Sequence, residues 1–126
     1  MSKIDELLEE ARTGMDRVTP AQLGDEISRG ALVIDIRPEA DRLREGLLPG
    51  AIVIERNVME WRLDPSSPDR IDAANDVAKR IVLFCNEGYA STLAARSLNA
   101  LGLFRATDLE GGYRAWQREV QSLEAN

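Results

Sequence analysis

The single cysteine, Cys85, stands at the end of an apolar run and at the beginning of a segment of small and turn-forming residues. The four residues 81–84 before it are apolar, and a helical pattern resumes at Thr92. A short apolar run bounded by a turn is typical of a strand buried on both faces. Residues 85–91, called the Cys85 loop from here on, are therefore predicted to join the carboxyl end of a strand to the amino end of a helix.

This position suits nucleophilic chemistry by a thiol. The amino end of a helix offers backbone N–H groups without acceptors and the positive end of the helix dipole, and both attract anions. A cysteine held there is shifted toward its thiolate, which is the nucleophilic form. The alternative is that Cys85 is a buried apolar residue without chemistry, as is common for a single cysteine. Its place at a strand-to-helix turn, rather than within an element, keeps the catalytic interpretation open.

The composition excludes several other kinds of site. The chain has 126 residues, enough for one domain with its own core, and it contains no histidine. Cys–His catalysis, serine triads with histidine and imidazole metal sites are therefore excluded. One cysteine also cannot build a structural zinc site. We predict that the protein uses no cofactor and no metal.

The charge balance bears on the partners. The 22 acidic and 16 basic residues give a net charge of -6, which argues against nucleic acid because phosphate contacts need a basic surface. No apolar run approaches membrane-spanning length and the amino terminus does not resemble a signal peptide, so no membrane partner is expected. One cysteine cannot form an internal disulfide, so we expect a reducing compartment and a cytoplasmic protein.

Strand and helix patterns alternate along the chain, which predicts an α/β fold with a parallel sheet and helices on both faces. Buried strands are predicted at 31–36, 51–54, 81–84 and 105–109, with a short edge strand at 17–19. Helices are predicted at 3–13, 20–29, 38–43, around 58–63, over a segment carrying Ile71, Ala74 and Val77, from Thr92 to before Gly102, and from 111 to about 123. Thr19, Pro20 and Gln22 form a capping-box pattern at the second helix. Residues 1–16 are interpreted as an N-terminal helical extension and 17–126 as the domain.

Four segments resemble motifs of the rhodanese family, in the family's order and at its spacing. They are the strand with Asp-Ile-Arg at 32–37, the Gly-Leu-Leu-Pro-Gly-Ala segment within 45–51, the Cys85 loop, and the Gly-Gly ending with Tyr113 and Trp116 at 108–116. Each is weak alone, but together they cover about residues 17–120 and indicate a single-domain rhodanese-like protein. The resemblance implies a parallel five-stranded sheet flanked by helices and sulfurtransferase chemistry through a cysteine persulfide.

The resemblance also implies the roles of individual residues. The Cys85 thiolate would take a sulfane sulfur from a donor such as thiosulfate and pass it to a thiophilic acceptor, which is cyanide, a thiol or an acceptor protein. Backbone N–H groups would stabilise the anions, and they belong to Asn86, Glu87, Gly88, Tyr89, Ala90 and Ser91. Gly88 permits a tight turn, and Ser91 either caps the helix or donates a hydrogen bond. Arg37 is a candidate substrate contact, although pairing with acids beneath the loop is the favoured role.

Three positions depart from the family's pattern. Leu47 stands where a mainly structural histidine is usual, and we expect little functional effect. Asn86 and Ala90 stand where many members carry arginine. The neighbouring Glu87 adds a negative charge, which we expect to point outward.

Other polar and aromatic residues are interpreted as structural. The surface pair is Arg56 and Arg62, the loop-capping acids are Asp35 and Asp108, and the core aromatics are Tyr113 and Trp116.

Two other functions stay open. One is a non-catalytic rhodanese-like interaction or regulatory module, which the presence of Cys85 argues against. The other is a cysteine phosphatase or arsenate reductase. Phosphatases with a similar loop carry an arginine six residues after the cysteine, and this chain has Ser91 there.

Overall fold

The computed structural model describes residues 1–125, which form a four-stranded parallel sheet with helices on both faces. The helices are α1 (Lys3–Arg12), α2 (Pro20–Ser28), α3 (Glu39–Glu45), α4 (Met59–Leu63), α5 (Ala90–Ala100) and α6 (Gly112–Ala125), and a 3-10 turn (Arg56–Val58) precedes α4. The strands are β1 (Leu32–Asp35), β2 (Ile52–Val53), β3 (Ile81–Phe84) and β4 (Ala106–Asp108). Their order across the sheet is β2-β1-β3-β4.

Alternating side chains of the central strands supply two apolar clusters, one on each face of the sheet. On one face, Ile34 of β1 and Leu83 of β3 pack with residues of α4 and α5. On the other face, Val33 and Phe84 pack with Leu23 of α2 and Tyr113 of α6. The predicted α/β fold with helices on both faces is therefore confirmed.

The strand register brings the polar strand ends to one edge of the sheet. Asp35 of β1 pairs with Phe84 of β3, and Asp108 of β4 pairs with Leu83. Because the strands are parallel, Asp35, Cys85 and Asp108 all lie at the carboxyl edge, where α/β proteins bind ligands.

The predicted count of five strands is wrong. The segment 17–19 contributes one isolated bridge, between Val18 and Leu109, instead of a strand. Val18 exchanges two backbone hydrogen bonds with the Asp108–Glu110 segment, at 3.0 and 2.7 Å. The pairing stops there because Thr19 caps α2 and Pro20 has no N–H to donate. That capping box, in which Thr19 and Gln22 satisfy each other's backbone N–H, is confirmed.

Two further predictions about elements need correction. The strand predicted as buried at 51–54 is the sheet edge, so Ile52 and Val53 are exposed and only the following Ile54 is buried. The helix predicted over Ile71, Ala74 and Val77 is replaced by turns. Asp76 accepts a hydrogen bond from the backbone N–H of Ala78 at 2.8 Å, and this local side-chain bond favours a turn over a helix.

The amino-terminal helix α1 lies against α5 and buries Leu8 and Ala11. Its last residue, Arg12, therefore comes close to the Cys85 loop. No helix within residues 1–125 is both long and apolar enough to span a bilayer.

Candidate functional site

Cys85 is a free, partly exposed cysteine directly after β3. Its Sγ accepts a hydrogen bond from the backbone N–H of Gly88 at 3.2 Å, and this donor stabilises negative charge on sulfur. The thiol also lies 3.4 Å from Ser91 Oγ, to which it donates. The sulfur is thus held by one backbone donor and one hydroxyl.

Ser91 links the thiol to a buried carboxylate. Its hydroxyl donates to Asp108 Oδ2 at 2.7 Å, and Thr92 Oγ1 lies 2.9 Å from the same oxygen. Asp108 is fully buried and forms an ion pair with Arg17 at 2.8 Å. Asp108 therefore orients Ser91, a larger role than the loop cap expected from sequence. Ser91 does not cap α5, because the residue at the cap position is Tyr89.

The amino end of α6 forms backbone hydrogen bonds to the first part of the Cys85 loop. The backbone N–H of Tyr113 donates to the Cys85 carbonyl at 2.8 Å, and that of Arg114 donates to the Asn86 carbonyl at 3.0 Å. Gly112 makes this approach possible, because a Cβ there would lie 2.5 Å from the Cys85 carbonyl oxygen. The Gly-Gly pair thus serves the loop as well as the helix start.

These hydrogen bonds from α6 fix the direction of two N–H groups of the loop. All peptide bonds of the described residues are trans, so each N–H is antiparallel to the carbonyl of its own peptide. The N–H groups of Asn86 and Glu87 therefore point away from α6. Within residues 1–125, five backbone N–H groups of the loop have no protein acceptor, and they belong to Asn86, Glu87, Tyr89, Ala90 and Ser91. Together with that of Gly88, they are the N–H groups that the sequence assigns to anion binding, and that assignment stays a prediction.

Gly88 is the turning point of the loop. Its φ of +83° lies in the left-handed region, and a Cβ would lie 2.8 Å from the Gly111 nitrogen. Its carbonyl oxygen accepts hydrogen bonds from the guanidinium groups of Arg12 at 2.8 Å and Arg17 at 3.0 Å. Only glycine combines the positive φ of this position with the close approach to Gly111.

Arg37 lies beneath the loop, and its candidate role as a substrate contact is not supported. The residue is 1% exposed. Its guanidinium donates to both oxygens of Asp35, to the Asn86 side chain at 3.1 Å and to the Gly46 carbonyl at 2.8 Å. Its centre also lies 4.2 Å from the centroid of the Tyr113 ring. With these donors engaged, Arg37 fixes the loop and is not exposed to a ligand.

Two acidic side chains near the loop are paired with one arginine. Glu87 has a half-exposed side chain and forms an ion pair with Arg114. Glu45 accepts two hydrogen bonds from Arg114 at 2.8 Å, and these bonds lower the pKa of Glu45 to about 2. Asn86 joins the group by donating to Glu45 at 3.1 Å. Arg114 alone balances one of these two negative charges, and Arg44 also lies 3.4 Å from Glu45.

Other candidate residues lie in surface interactions. Arg56 donates to Glu60 at 2.9 Å and Arg62 to the Asp69 carbonyl at 2.6 Å. Leu47 is exposed, whereas Tyr113 is buried in the core with Trp116 packed beside it. Among the described residues, no three His, Cys, Asp or Glu side chains converge as a metal site would require.

A surface cavity of about 320 Å³ lies apart from the thiol. Its lining consists of Asp16, Arg17, Val18, Gln22, Asp25, Glu26, Arg29 and Arg80. Arg80 is already paired there with Asp16 and Glu26. The cavity therefore offers no excess of either charge to a ligand.

Sequence reasoning missed the arginines that reach the loop. Arg12 comes from a helix far away in sequence, and no local pattern indicates that α1 docks on α5. Arg17 falls in the predicted edge strand, where the pattern gives its side chain no role. The only available signal is the placement of Asp108 at a strand end, since a buried carboxylate needs a partner.

Residues 19–119 match the rhodanese-like domain family. A protein of unknown function from Rhodopseudomonas palustris, described as a possible tyrosine phosphatase, has a similar structure, with 28% identity, a TM-score of 0.83 and coverage of 95% of this chain and 92% of that chain. The rhodanese homolog TT1651 of the extremely thermophilic bacterium Thermus thermophilus is 28% identical, with a TM-score of 0.57 and coverage of 79% of this chain and 98% of that chain.

The human single-domain sulfurtransferase TSTD1 shares the fold, with 24% identity, a TM-score of 0.66 and coverage of 82% of this chain and 96% of that chain. No curated protein is detectably similar in sequence. Because the family match spans well over half of the chain and the fold agrees with it, this protein belongs to the rhodanese-like domain family.

Proposed function

We propose that this protein is a sulfurtransferase in which Cys85 carries the transferred sulfur as a persulfide. The observation that carries the proposal is the surroundings of the thiol. Sγ accepts the Gly88 N–H at 3.2 Å, and five neighbouring backbone N–H groups have no acceptor within residues 1–125. Backbone donors in the loop that carries the thiol suit an anionic sulfur and the anion that leaves it.

The reaction has two displacement steps. The Cys85 thiolate attacks the outer sulfur of thiosulfate, a new S–S bond forms, and the old S–S bond breaks with its electron pair leaving on sulfite. Cyanide or a thiolate acceptor then attacks the outer sulfur of the persulfide, and Cys85 leaves as thiolate. Both steps bring anions together, so the N–H groups of the loop contribute most where charge density is highest.

The chemistry implies the partners and the compartment. The substrates are a small sulfane-sulfur donor and a thiophilic acceptor, and a protein thiol is one acceptor class. The proposal needs no cofactor. A thiol that must be free at the start of each cycle suits a reducing compartment, for which the cytoplasm is our proposal.

The experiment is an intact-mass measurement after incubation with thiosulfate. The expected result is a gain of one sulfur atom that is reversed by cyanide and absent in Cys85→Ser. Because Cys85 is the one cysteine of the chain, every covalent sulfur addition reports on this residue. An unchanged mass, or equal sulfur transfer by Cys85→Ser, would contradict the proposal.

A phosphatase is the second candidate, favoured only by the description of the Rhodopseudomonas palustris protein. The side chain six residues after Cys85 is the buried hydroxyl of Ser91, which already donates to Asp108. It cannot replace the guanidinium fork that phosphate transfer uses. We expect no hydrolysis of an aryl phosphate above the Cys85→Ser background. Hydrolysis that depends on Cys85, without a persulfide, would favour the phosphatase.

An interaction or regulatory module without catalysis is the remaining alternative. It predicts that thiosulfate leaves no sulfur on Cys85 although the fold is intact. The mass measurement therefore separates sulfur transfer from the other two functions, and hydrolysis of the aryl phosphate separates the phosphatase from the non-catalytic module.

A further inference from the structure

The Cys85 loop has no arginine of its own, yet two arginines reach it from the amino-terminal segment. Arg12, the last residue of α1, donates to the Gly88 carbonyl at 2.8 Å and to Thr92 Oγ1 at 3.3 Å. Arg17 donates to the same carbonyl at 3.0 Å. Both arginines precede residue 19, where the family match begins. They are therefore a feature of this chain that the family match does not carry.

The two arginines fix the orientation of one peptide. The Gly88 carbonyl belongs to the same trans peptide as the Tyr89 N–H. With the carbonyl held by two cationic donors, the Tyr89 N–H points the opposite way, and it has no acceptor within residues 1–125. Hydrogen bonds to the carbonyl also polarise the amide and strengthen its N–H as a donor.

The arginines also place positive charge beneath the loop. Asp108 pairs with Arg17 and balances it. Arg12 forms no ion pair among the described residues and lies 5.9 Å from the centroid of the Tyr89 ring. In a chain of net charge -6, one unbalanced arginine in this place concentrates positive potential at the site.

We propose that Arg12, assisted by Arg17, is a positioning residue of this site, which holds the Gly88–Tyr89 peptide and supplies from outside the loop the positive charge that the loop lacks. The proposal deepens the proposed function and rests on it for the identity of the reacting anion. The local effect on charge around Sγ does not depend on sulfur transfer, and this makes the two proposals separable.

The experiment compares two alkylating reagents on the single cysteine. Rates are measured for neutral iodoacetamide and anionic iodoacetate, and their ratio removes the shared dependence on thiolate fraction and access. In Arg12→Gln, the iodoacetate-to-iodoacetamide ratio falls about two- to fivefold, which is the effect of one partly screened unit charge. Arg12→Lys keeps more than about half of the wild-type ratio, because the charge remains.

Arg118→Gln is the matched control, since Arg118 is exposed on α6 and the substitution changes the net charge equally. Its ratio stays at the wild-type value. Thermal unfolding of each variant is measured first, and Arg12→Lys serves as the second test if Arg12→Gln does not fold. Equal ratios for Arg12→Gln, Arg118→Gln and wild type would overturn the proposal, as would an Arg12→Lys ratio as low as that expected for Arg12→Gln.

The sulfur-transfer readout is kept separate. In Arg12→Gln, persulfide formation from thiosulfate slows mainly through a higher KM, because the charge acts on an anionic donor. If wild type forms no persulfide but the ratio still falls in Arg12→Gln, the proposed function fails and the charge assignment holds. If persulfide forms equally fast in both proteins and the ratio is unchanged, the role of Arg12 fails and the proposed function holds.

Discussion

The backbone carbonyls in the first half of the Cys85 loop are held by backbone groups, whereas the Gly88 carbonyl further along is held by side chains. The carbonyls of Cys85 and Asn86 accept N–H groups from the start of α6. The carbonyl of Gly88 accepts guanidinium groups from Arg12 and Arg17. Both supports hold carbonyls, and the N–H groups of the same three peptides, those of Asn86, Glu87 and Tyr89, have no acceptor within residues 1–125.

The two supports differ in what a substitution does to them. The α6 support depends on close approach of two backbone segments, so an added Cβ at Gly112 disrupts it. The arginine support depends on charge and reach, so it is sensitive to side-chain identity and adds potential as well as geometry. The first lies inside the stretch that matches the family, and the second lies before it.

The largest effect is expected from Gly112→Ala, which breaks the backbone support. The new Cβ would lie 2.5 Å from the Cys85 carbonyl oxygen, at a φ of +66°. Strain and overpacking together predict a loss of about 2–5 kcal/mol in the free energy of unfolding. Persulfide formation is expected to be lost as well. The measurements are denaturant unfolding and intact mass after thiosulfate.

Gly24→Ala is the matched control for that substitution. Gly24 lies within α2, and nothing is within 4 Å of an added Cβ. The exchange is expected to stabilise the protein by about 0.5–1 kcal/mol, because alanine is the better helix residue. Equal stability of the two variants would show that the contact between α6 and the loop is not tight.

Asp108→Asn removes the carboxylate that pairs with Arg17, one of the two arginines that bind the Gly88 carbonyl. The substitution leaves Arg17 without its carboxylate and weakens the acceptor of Ser91 and Thr92. Breaking a largely buried pair costs about 3 kcal/mol. Unfolding by urea measures the loss, and Asp72→Asn, at an exposed residue, is the control. A loss no greater than that of the control would show that the pair contributes little.

The reactive residue of the site could be predicted from the sequence, but the contacts that hold the Cys85 loop in place could not. Cys85, the turn at Gly88 and the α/β arrangement follow from residue types within short windows. The roles of Arg12 and Arg17 depend on contacts between residues that are 71 to 91 positions apart, and the contact of Asp108 with Ser91 spans 17 positions. No periodicity within one segment encodes such contacts, since that of Arg12 exists only after α1 packs on α5 and that of Arg17 only after Val18 pairs with the end of β4.

The errors in the fold have local causes. The strand predicted at 17–19 competes with the strong helix start at Thr19 and Pro20, and the helix start wins. The helix predicted around Ile71 and Ala74 has an apolar spacing that fits, but Asp76 bonds to its own turn. The strand at Ile52 is predicted as buried because an exposed sheet edge and a buried strand carry the same apolar residues.

Asn86→Ala tests whether the loop works through backbone groups. The side chain accepts a hydrogen bond from Arg37 and donates one to Glu45. Its removal leaves a buried guanidinium N–H without an acceptor, at a cost of about 1–3 kcal/mol. Persulfide formation is expected to change little because the backbone N–H remains. Asn75→Ala, at an exposed residue, is the control, and a large loss of activity at full stability would assign Asn86 a direct side-chain role.

The smallest effect concerns the acid dependence of the Glu45–Arg114 pair. Hydrogen bonds from Arg114 lower the pKa of Glu45 from 4.5 to about 2. A carboxyl with a lowered pKa in the folded state stabilises the protein above its unfolded pKa, and that contribution is lost as the pH falls through the folded value. The stability difference between wild type and Glu45→Gln is therefore expected to be constant above about pH 5 and to shrink between pH 4.5 and about 2.

Urea unfolding of both proteins across this range measures that difference, and Glu110→Gln, at an exposed residue without an ion pair in the described part of the chain, is the charge-matched control. A difference that stays constant down to pH 2 would show that the pair is not formed in solution. Because Glu45 also holds the Asn86 side chain at 3.1 Å, alkylation of Cys85 is followed in the same samples at neutral pH. The backbone support predicts an unchanged alkylation rate in Glu45→Gln, since the Asn86 carbonyl is held by α6 and not by Glu45. A slower rate would mean that the first half of the loop, like the second, relies on side chains.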